Sequence, residues 1–265
     1  MRSKDNIEQH DIPVYSNCRR NDKADYNYEY ITLSGITLSP QRGQSFVQVD
    51  HSPGLPVAPA AAEETIMLNE LIGAVVQVLF FSFIPLAVWY ATARGKESFF
   101  EWIGLKRPIC RNMAKTVLTA VVMTLIYIGA MSACVRMLPD GVTTAGSQFA
   151  GEGLKALPAV IFYAFLRTAL SEEILFRGFV LKRIQDKAGF MAGNSVQALL
   201  FGLMHGIPFG LVTKSVPAFV LLTLLPGLFG WYQGRLNEKQ CNGSIVPSWL
   251  LHGCINCITA ALSLF

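Results

Sequence analysis

The sequence predicts an all-α fold: a polytopic transmembrane helical bundle of about six spans, with a disordered N-terminal tail. Three observations predict it. Of 265 residues, 52% are hydrophobic and only 15% charged, against ~25% charged in a soluble domain. Apolar runs close to the ~20 residues that cross a bilayer recur along the chain. The first 65 residues, by contrast, are polar and lack sustained periodicity. They hold six Lys/Arg against nine Asp/Glu, whereas the remainder holds sixteen against nine. The basic excess therefore belongs to the membrane part, where loop orientation accounts for it and no nucleic-acid partner is implied.

Two regions follow. Residues 1–65 read as a polar, largely disordered tail, including the tyrosines of Tyr26–Tyr30; residues 66–265 read as the membrane-embedded helical domain. No basic segment followed by an apolar core opens the chain, so no cleavable signal peptide is expected. Spans are expected at Leu71–Ala91, Val117–Val135, Leu157–Leu181, Ser195–Ile207, Val216–Trp231 and Ile245–Phe265. The fourth is expected to start at the Asn194-Ser195 cap signal, and Pro226-Gly227 to bend the fifth. Phe99–Leu105, with Trp102, suits a short helix along the interface.

Basic residues alternate between the connections. The first, third and fifth loops carry eleven Lys/Arg, the second and fourth only three (Arg136, Lys155 and Lys214). The positive-inside rule then places the odd loops in the cytoplasm and the N-terminal tail outside. Six cysteines are spread over tail, loops and spans, a spacing that suggests no disulfide framework. Cys254 and Cys257 form a C-x-x-C within an apolar helix, where small residues serve close packing.

Charge inside the third span is the most informative feature. Arg167, Glu172, Glu173 and Arg177 lie among Val160, Ile161, Leu170, Ile174 and Phe179. A charge at mid-bilayer costs at least ~3 kcal/mol, and such residues face a protein interior or a wet cavity. Glu173 and Arg177, four apart, share a helix face with the acid nearer the N-terminus. Glu172 points about 100° away and is left for another helix. A buried ion network that only fixes packing explains one carboxylate well and two adjacent ones poorly.

His10 and His51 belong to the tail; His205 and His252 lie in separate apolar spans, each on a four-residue step, Phe201/His205 and His252/Asn256. A lone membrane histidine is ordinarily an interhelical hydrogen bond. Depth gives these two more weight. Glu172 precedes Lys182 by ~15 Å of helix, His205 follows the Asn194-Ser195 signal by ~15 Å, and His252 follows Ser244 by ~12 Å, all at 1.5 Å per residue. Carboxylate plus imidazole at one level can deprotonate water, and the His252/Asn256 pair can donate to an oxyanion. The same Glu/His/His set could instead ligate Zn²⁺.

The run Ser171-Glu172-Glu173-Ile174-Leu175-Phe176-Arg177-Gly178 resembles the E-E-x-x-x-R motif of the CPBP (Abi) intramembrane peptidases, which include CAAX-prenyl proteases and bacteriocin-processing relatives. Phe201–Gly206 is similar to their F-x-x-x-H motif, and the stretch from Gly243 through Pro247 and His252 to Asn256 to their G-S-x-x-P and H-x-x-x-N ending. The resemblance covers roughly Leu157–Phe265. It implies an intramembrane endopeptidase in which Glu172 is the base, assisted by His205, while His252 and Asn256 hold the oxyanion. Glu173, Arg177 and Phe201 would be supporting residues. It further implies a membrane-anchored peptide or protein substrate in the lipid bilayer, prenylated CAAX or bacteriocin-like, and a multi-pass protein of a bacterial cell membrane. A metal-free glutamate mechanism without cofactor is expected, with a zinc-dependent version as alternative. The Asn237–Asn242 stretch lengthens a compact loop and bears on substrate preference. Two other readings compete: a non-catalytic bacteriocin-immunity or scaffold protein, and a proton-coupled transporter. The latter predicts inverted repeats, which the sequence lacks.

Overall fold

The computed structural model describes residues 31–33, 36–41, 44–49, 59–137 and 145–265, with side chains from Thr65 onward. Tyr26–Tyr30, His10, His51 and Cys18 lie outside the described residues. Contacts divide the chain at Val57/Ala58.

In the N-terminal unit, three short strands form an antiparallel meander: β1 (Ile31–Leu33), β2 (Ile36–Gln41) and β3 (Gln44–Val49). Ile36 pairs with Val49 and Leu38 with Val47. The repeated Ile-Thr-Leu of the first two strands supplies the β-branched residues that a pleated surface favours.

The second unit is helical. α1 (Pro59–Thr92) begins in the Ala60–Glu64 run of strong helix formers. α2 (Phe99–Ile103) is capped by Ser98, whose Oγ accepts from Glu101 N at 3.3 Å. α3 (Met113–Val135) is capped by Asn112 accepting from Lys115 N at 3.0 Å. A long helical stretch then breaks at Gly189 (φ 82°, ψ 164°), giving α4 (residues 157–188) and α5 (residues 190–213). α6 (Val216–Arg235) and α7 (Val246–Leu262) complete the unit.

Gly189 reverses the chain. Twelve residues of continuous helix would separate Leu181 from Gly193 by ~18 Å, yet a Cβ on Gly193 would sit 2.6 Å from the Leu181 carbonyl oxygen. The positive φ that glycine alone adopts freely makes the fold-back possible. It also corrects the fourth span: Asn194 is no cap but a fully buried side chain inside α5. Its Nδ2 donates to Trp231 O at 2.9 Å and its Oδ1 accepts from Gln197 Nε2 at 2.9 Å, tying α5 to α6.

Among the described residues, Thr65–Thr92, Met113–Val135, Leu154–Thr213 and Val216–Gln240 are long and apolar enough to cross a membrane, and α7 is a shorter apolar helix. Because Leu154–Thr213 doubles back, the described residues hold six long apolar helices when α7 is counted. Loop bonding agrees with that count. Ile245 N donates to Gly104 O at 2.8 Å, Ser244 Oγ to Lys106 O at 2.6 Å, and Lys182 Nζ to Glu238 Oε1 at 2.6 Å. The first, third and fifth loops thus meet on one face. On the other, Ser263 Oγ donates to Gly146 O at 3.2 Å.

The outer surface is lipid-like: Phe80 and Phe83 of α1 are 75% and 72% exposed, and Leu125 and Leu228 are likewise bare. So wide an apolar exposure is incompatible with water. The protein is an integral membrane protein. Correcting the cysteine reading, Cys110 of the first loop and Cys241 of the fifth form a disulfide. A separation of 131 residues leaves no spacing motif to find.

Candidate active site

Polar side chains gather where α4, α5, α6 and α7 meet. Within α4, Phe162–Leu170 and Ile174–Leu181 wind as wide π-type turns around the α-helical turn Ser171–Glu173. Such turns are rare and recur at functional sites. Hydroxyls satisfy part of the loosened backbone: Thr168 Oγ1 donates towards Tyr163 O and Ala164 O, both at 3.0 Å, and Ser171 Oγ towards Arg167 O at 2.6 Å.

Glu173 is fully buried and densely bonded. Its Oε1 accepts from His252 Nδ1 at 3.1 Å and Gln233 Nε2 at 3.3 Å, and its Oε2 accepts from the Ser248 hydroxyl. Arg177 Nη1 lies 3.3 Å from Oε1, a charge contact without hydrogen-bond alignment. Arg177, also fully buried, donates through Nη2 to Gln233 Oε1 and lays its guanidinium 4.1 Å from the Phe201 ring centre. Asn237 locks the arrangement, giving Nδ2–H to Ser248 Oγ at 2.6 Å and accepting Ser248 N–H at 3.3 Å.

Glu172 stands apart. It is buried, yet its Oε2 has no hydrogen-bond partner. The nearest cationic candidate is His252 Nε2, 3.7 Å away. His252 thus lies between the two carboxylates, Nδ1 facing Glu173 and Nε2 facing Glu172. Glu172 also lines a cavity of about 620 Å³ together with Gln77, Gln148, Tyr163, Arg167 and Thr168.

His205 lies at the same level by a route independent of caps: Glu172 is seventeen residues before Gly189 and His205 sixteen after it. One turn nearer the bend, Phe176 and Phe201 meet edge to face at 5.3 Å. Phe201 in turn borders both imidazoles, with ring centres 4.6 Å from His205 and 5.8 Å from His252. His205 Nδ1 donates to Phe201 O at 2.8 Å, which leaves Nε2 as an acceptor. Among the described residues, His205 bonds neither Glu172 nor His252. Asn256 gives its Nδ2–H to Thr168 Oγ1 at 2.8 Å, so it reaches the cavity wall through that hydroxyl.

Several participants escaped the sequence. Gln233 near the end of α6 and Asn237 in the wide turn Leu236–Gln240 that continues it, four apart, signalled themselves only as amides on one helix face. Ser248 sat unremarked inside a quoted motif. Glu70 pairs with Arg167, Nη1 donating to both carboxylate oxygens at 3.0 and 3.1 Å; it lies just outside the apolar run and carried no signal. As for a metal, Glu172, His205 and His252 are suitable donors by chemistry. Among the described residues, however, no three His, Cys, Asp or Glu side chains are placed to hold an ion.

Residues 154–258 match the family described as Type II CAAX prenyl endopeptidase Rce1-like. No curated protein and no solved structure matches the chain.

Proposed function

We propose, from the match of residues 154–258 to the Rce1-like type II CAAX prenyl endopeptidases, that Glu172 is the general base of peptide hydrolysis at membrane depth. One observation carries this reading: Glu172 Oε2 is buried without a hydrogen bond, beside a cavity that Glu172 lines, and faces His252 Nε2 at 3.7 Å. A desolvated carboxylate with no donor of its own is set to accept a proton from water.

Glu172 takes a proton from water while the oxygen attacks the scissile carbonyl carbon. His205 Nε2, an acceptor, helps to orient that water. Negative charge developing on the carbonyl oxygen is met by Asn256 Nδ2–H and by His252 when its Nε2 carries a proton. The C–N bond then breaks, and the proton held by Glu172 passes to the departing amine. Glu173 orients His252 through Nδ1, and Arg177, Gln233 and Ser248 hold Glu173 in place.

The substrate proposed is a membrane-anchored peptide of the prenylated CAAX type, following the family description. The test is cleavage of prenylated peptides by purified protein, followed by mass spectrometry. Glu172→Ala should lose turnover by 10²–10⁴-fold, the range for removing a general base; equal turnover would overturn the assignment. A strong chelator should leave turnover unchanged, whereas loss restored by added Zn²⁺ would overturn the metal-free mechanism.

A further inference from the structure

We infer that Arg167 forms a subsite for the C-terminal carboxylate of the peptide, two to three residues beyond the bond that Glu172 attacks. The inference rests on the peptidase reading above. Among the described residues, Arg167 and Glu172 are the two charged side chains lining the 620 Å³ cavity. An arginine inside an apolar span needs a reason, given the insertion cost of such a charge.

Glu70 supplies only part of that reason. Both of its bonds come from Nη1, whereas a guanidinium offers five N–H donors in a planar fork suited to carboxylates. The pair is also asymmetric: the Glu70 side chain is 8% exposed and that of Arg167 33%. Glu70 is turned into the protein and Arg167 into the cavity.

Spacing sets the ligand. Five residues separate Arg167 from Glu172, about 7 Å along a helix, and wide turns bring positions five apart closer to one face. An extended peptide covers up to ~3.3–3.6 Å per residue. A carboxylate two or three residues past the scissile carbonyl therefore reaches the guanidinium. Beside Ala145 and Ser147, the described wall carries Gln77, Gln148, Tyr163 and Thr168, hydrogen-bonding groups for a short peptide end.

The test compares three prenylated peptides with wild-type protein: a free acid, its C-terminal amide, and that amide with its last residue changed to Glu. The free acid should show a KM at least about tenfold below the amide with similar kcat, as expected for losing a charge-assisted pair. In the double variant Glu70→Gln/Arg167→Gln, which orphans neither charge, this preference should collapse towards one. Equal KM for acid and amide in wild type, or a preference that survives in the double variant, would overturn the subsite. Full recovery with the Glu-ending amide would overturn the C-terminal assignment. Cleavage of none of the three would instead remove the peptidase reading itself.

Discussion

His252 Nε2 stands 3.7 Å from Glu172 Oε2, while its Nδ1 is bonded to Glu173 at 3.1 Å. Two adjacent glutamates are thus separated by one imidazole into a bonded anion and an unbonded one. Removing charge from the unbonded one should cost no stability. Glu172→Gln is expected to unfold at or above the wild-type temperature in detergent, although inactive. Glu173→Gln leaves Arg177 without its anion, and should cost about 3–5 kcal/mol, the penalty for orphaning a buried charge. The opposite ranking of the two melting temperatures would refute this division.

Arg177 is expected to matter for folding more than for chemistry. It contacts Glu173, Gln233 and the Phe201 ring, and among the described residues makes no hydrogen bond to Glu172. Arg177→Met alone should destabilise by about 3–5 kcal/mol, whereas adding Glu173→Gln should recover much of it, since paired removal of buried charges is far cheaper than single removal. A double-mutant cycle on unfolding measures the coupling. A stable, folded and inactive Arg177→Ala protein would contradict the structural role.

How much of this was legible depended on distance along the chain. Spacing within one helix sufficed to pair Glu173 with Arg177 and to set Glu172 apart, because 3.6-residue geometry fixes faces. Hydropathy located the spans, since lipid demands long apolar runs whatever the tertiary arrangement. The Glu70–Arg167 pair, 97 residues apart, and the Cys110–Cys241 bond depend on which helices become neighbours, and no local pattern encodes that. Asn194 misled for a different reason: an Asn before an apolar run reads as a cap, but here it is an interhelical tie. The signal that marked the true turn was Gly189, a residue tolerated in too many contexts to be decisive alone.

Close contact between α5 and α6 makes a further expectation. A Cβ on Gly202 would land on the Thr223 carbonyl oxygen, a backbone atom that no side-chain rotation can move aside. Gly202→Ala should therefore destabilise by about 1–3 kcal/mol, the usual cost of overpacking. Trimming Thr223 to Ala should not rescue it, because the obstructing oxygen remains. Rescue by Thr223→Ala, read from thermal unfolding of the double variant, would show that the helices separate easily.

The disulfide carries the last expectation and bears on orientation. Cys110–Cys241 ties the first loop to the turn preceding Gly243, and Arg111 N donates to Gln240 O at 3.0 Å beside it. That turn, Leu236–Gln240, carries Asn237, the residue that fixes Ser248 against Glu173. Cys110→Ser should cost about 2–5 kcal/mol, typical of removing a native disulfide, and loosen Asn237 with it. The basic loops place this face in the cytoplasm by the positive-inside rule, yet disulfides persist in oxidising compartments and are rare in the cytosol. Acid-quenched membranes, alkylated under denaturing conditions and digested without reductant, decide between the two signals. Recovery of a linked Cys110/Cys241 peptide is expected, which would place the odd loops on the oxidising side. Recovery of both residues alkylated would remove the staple and leave the basic-loop orientation standing.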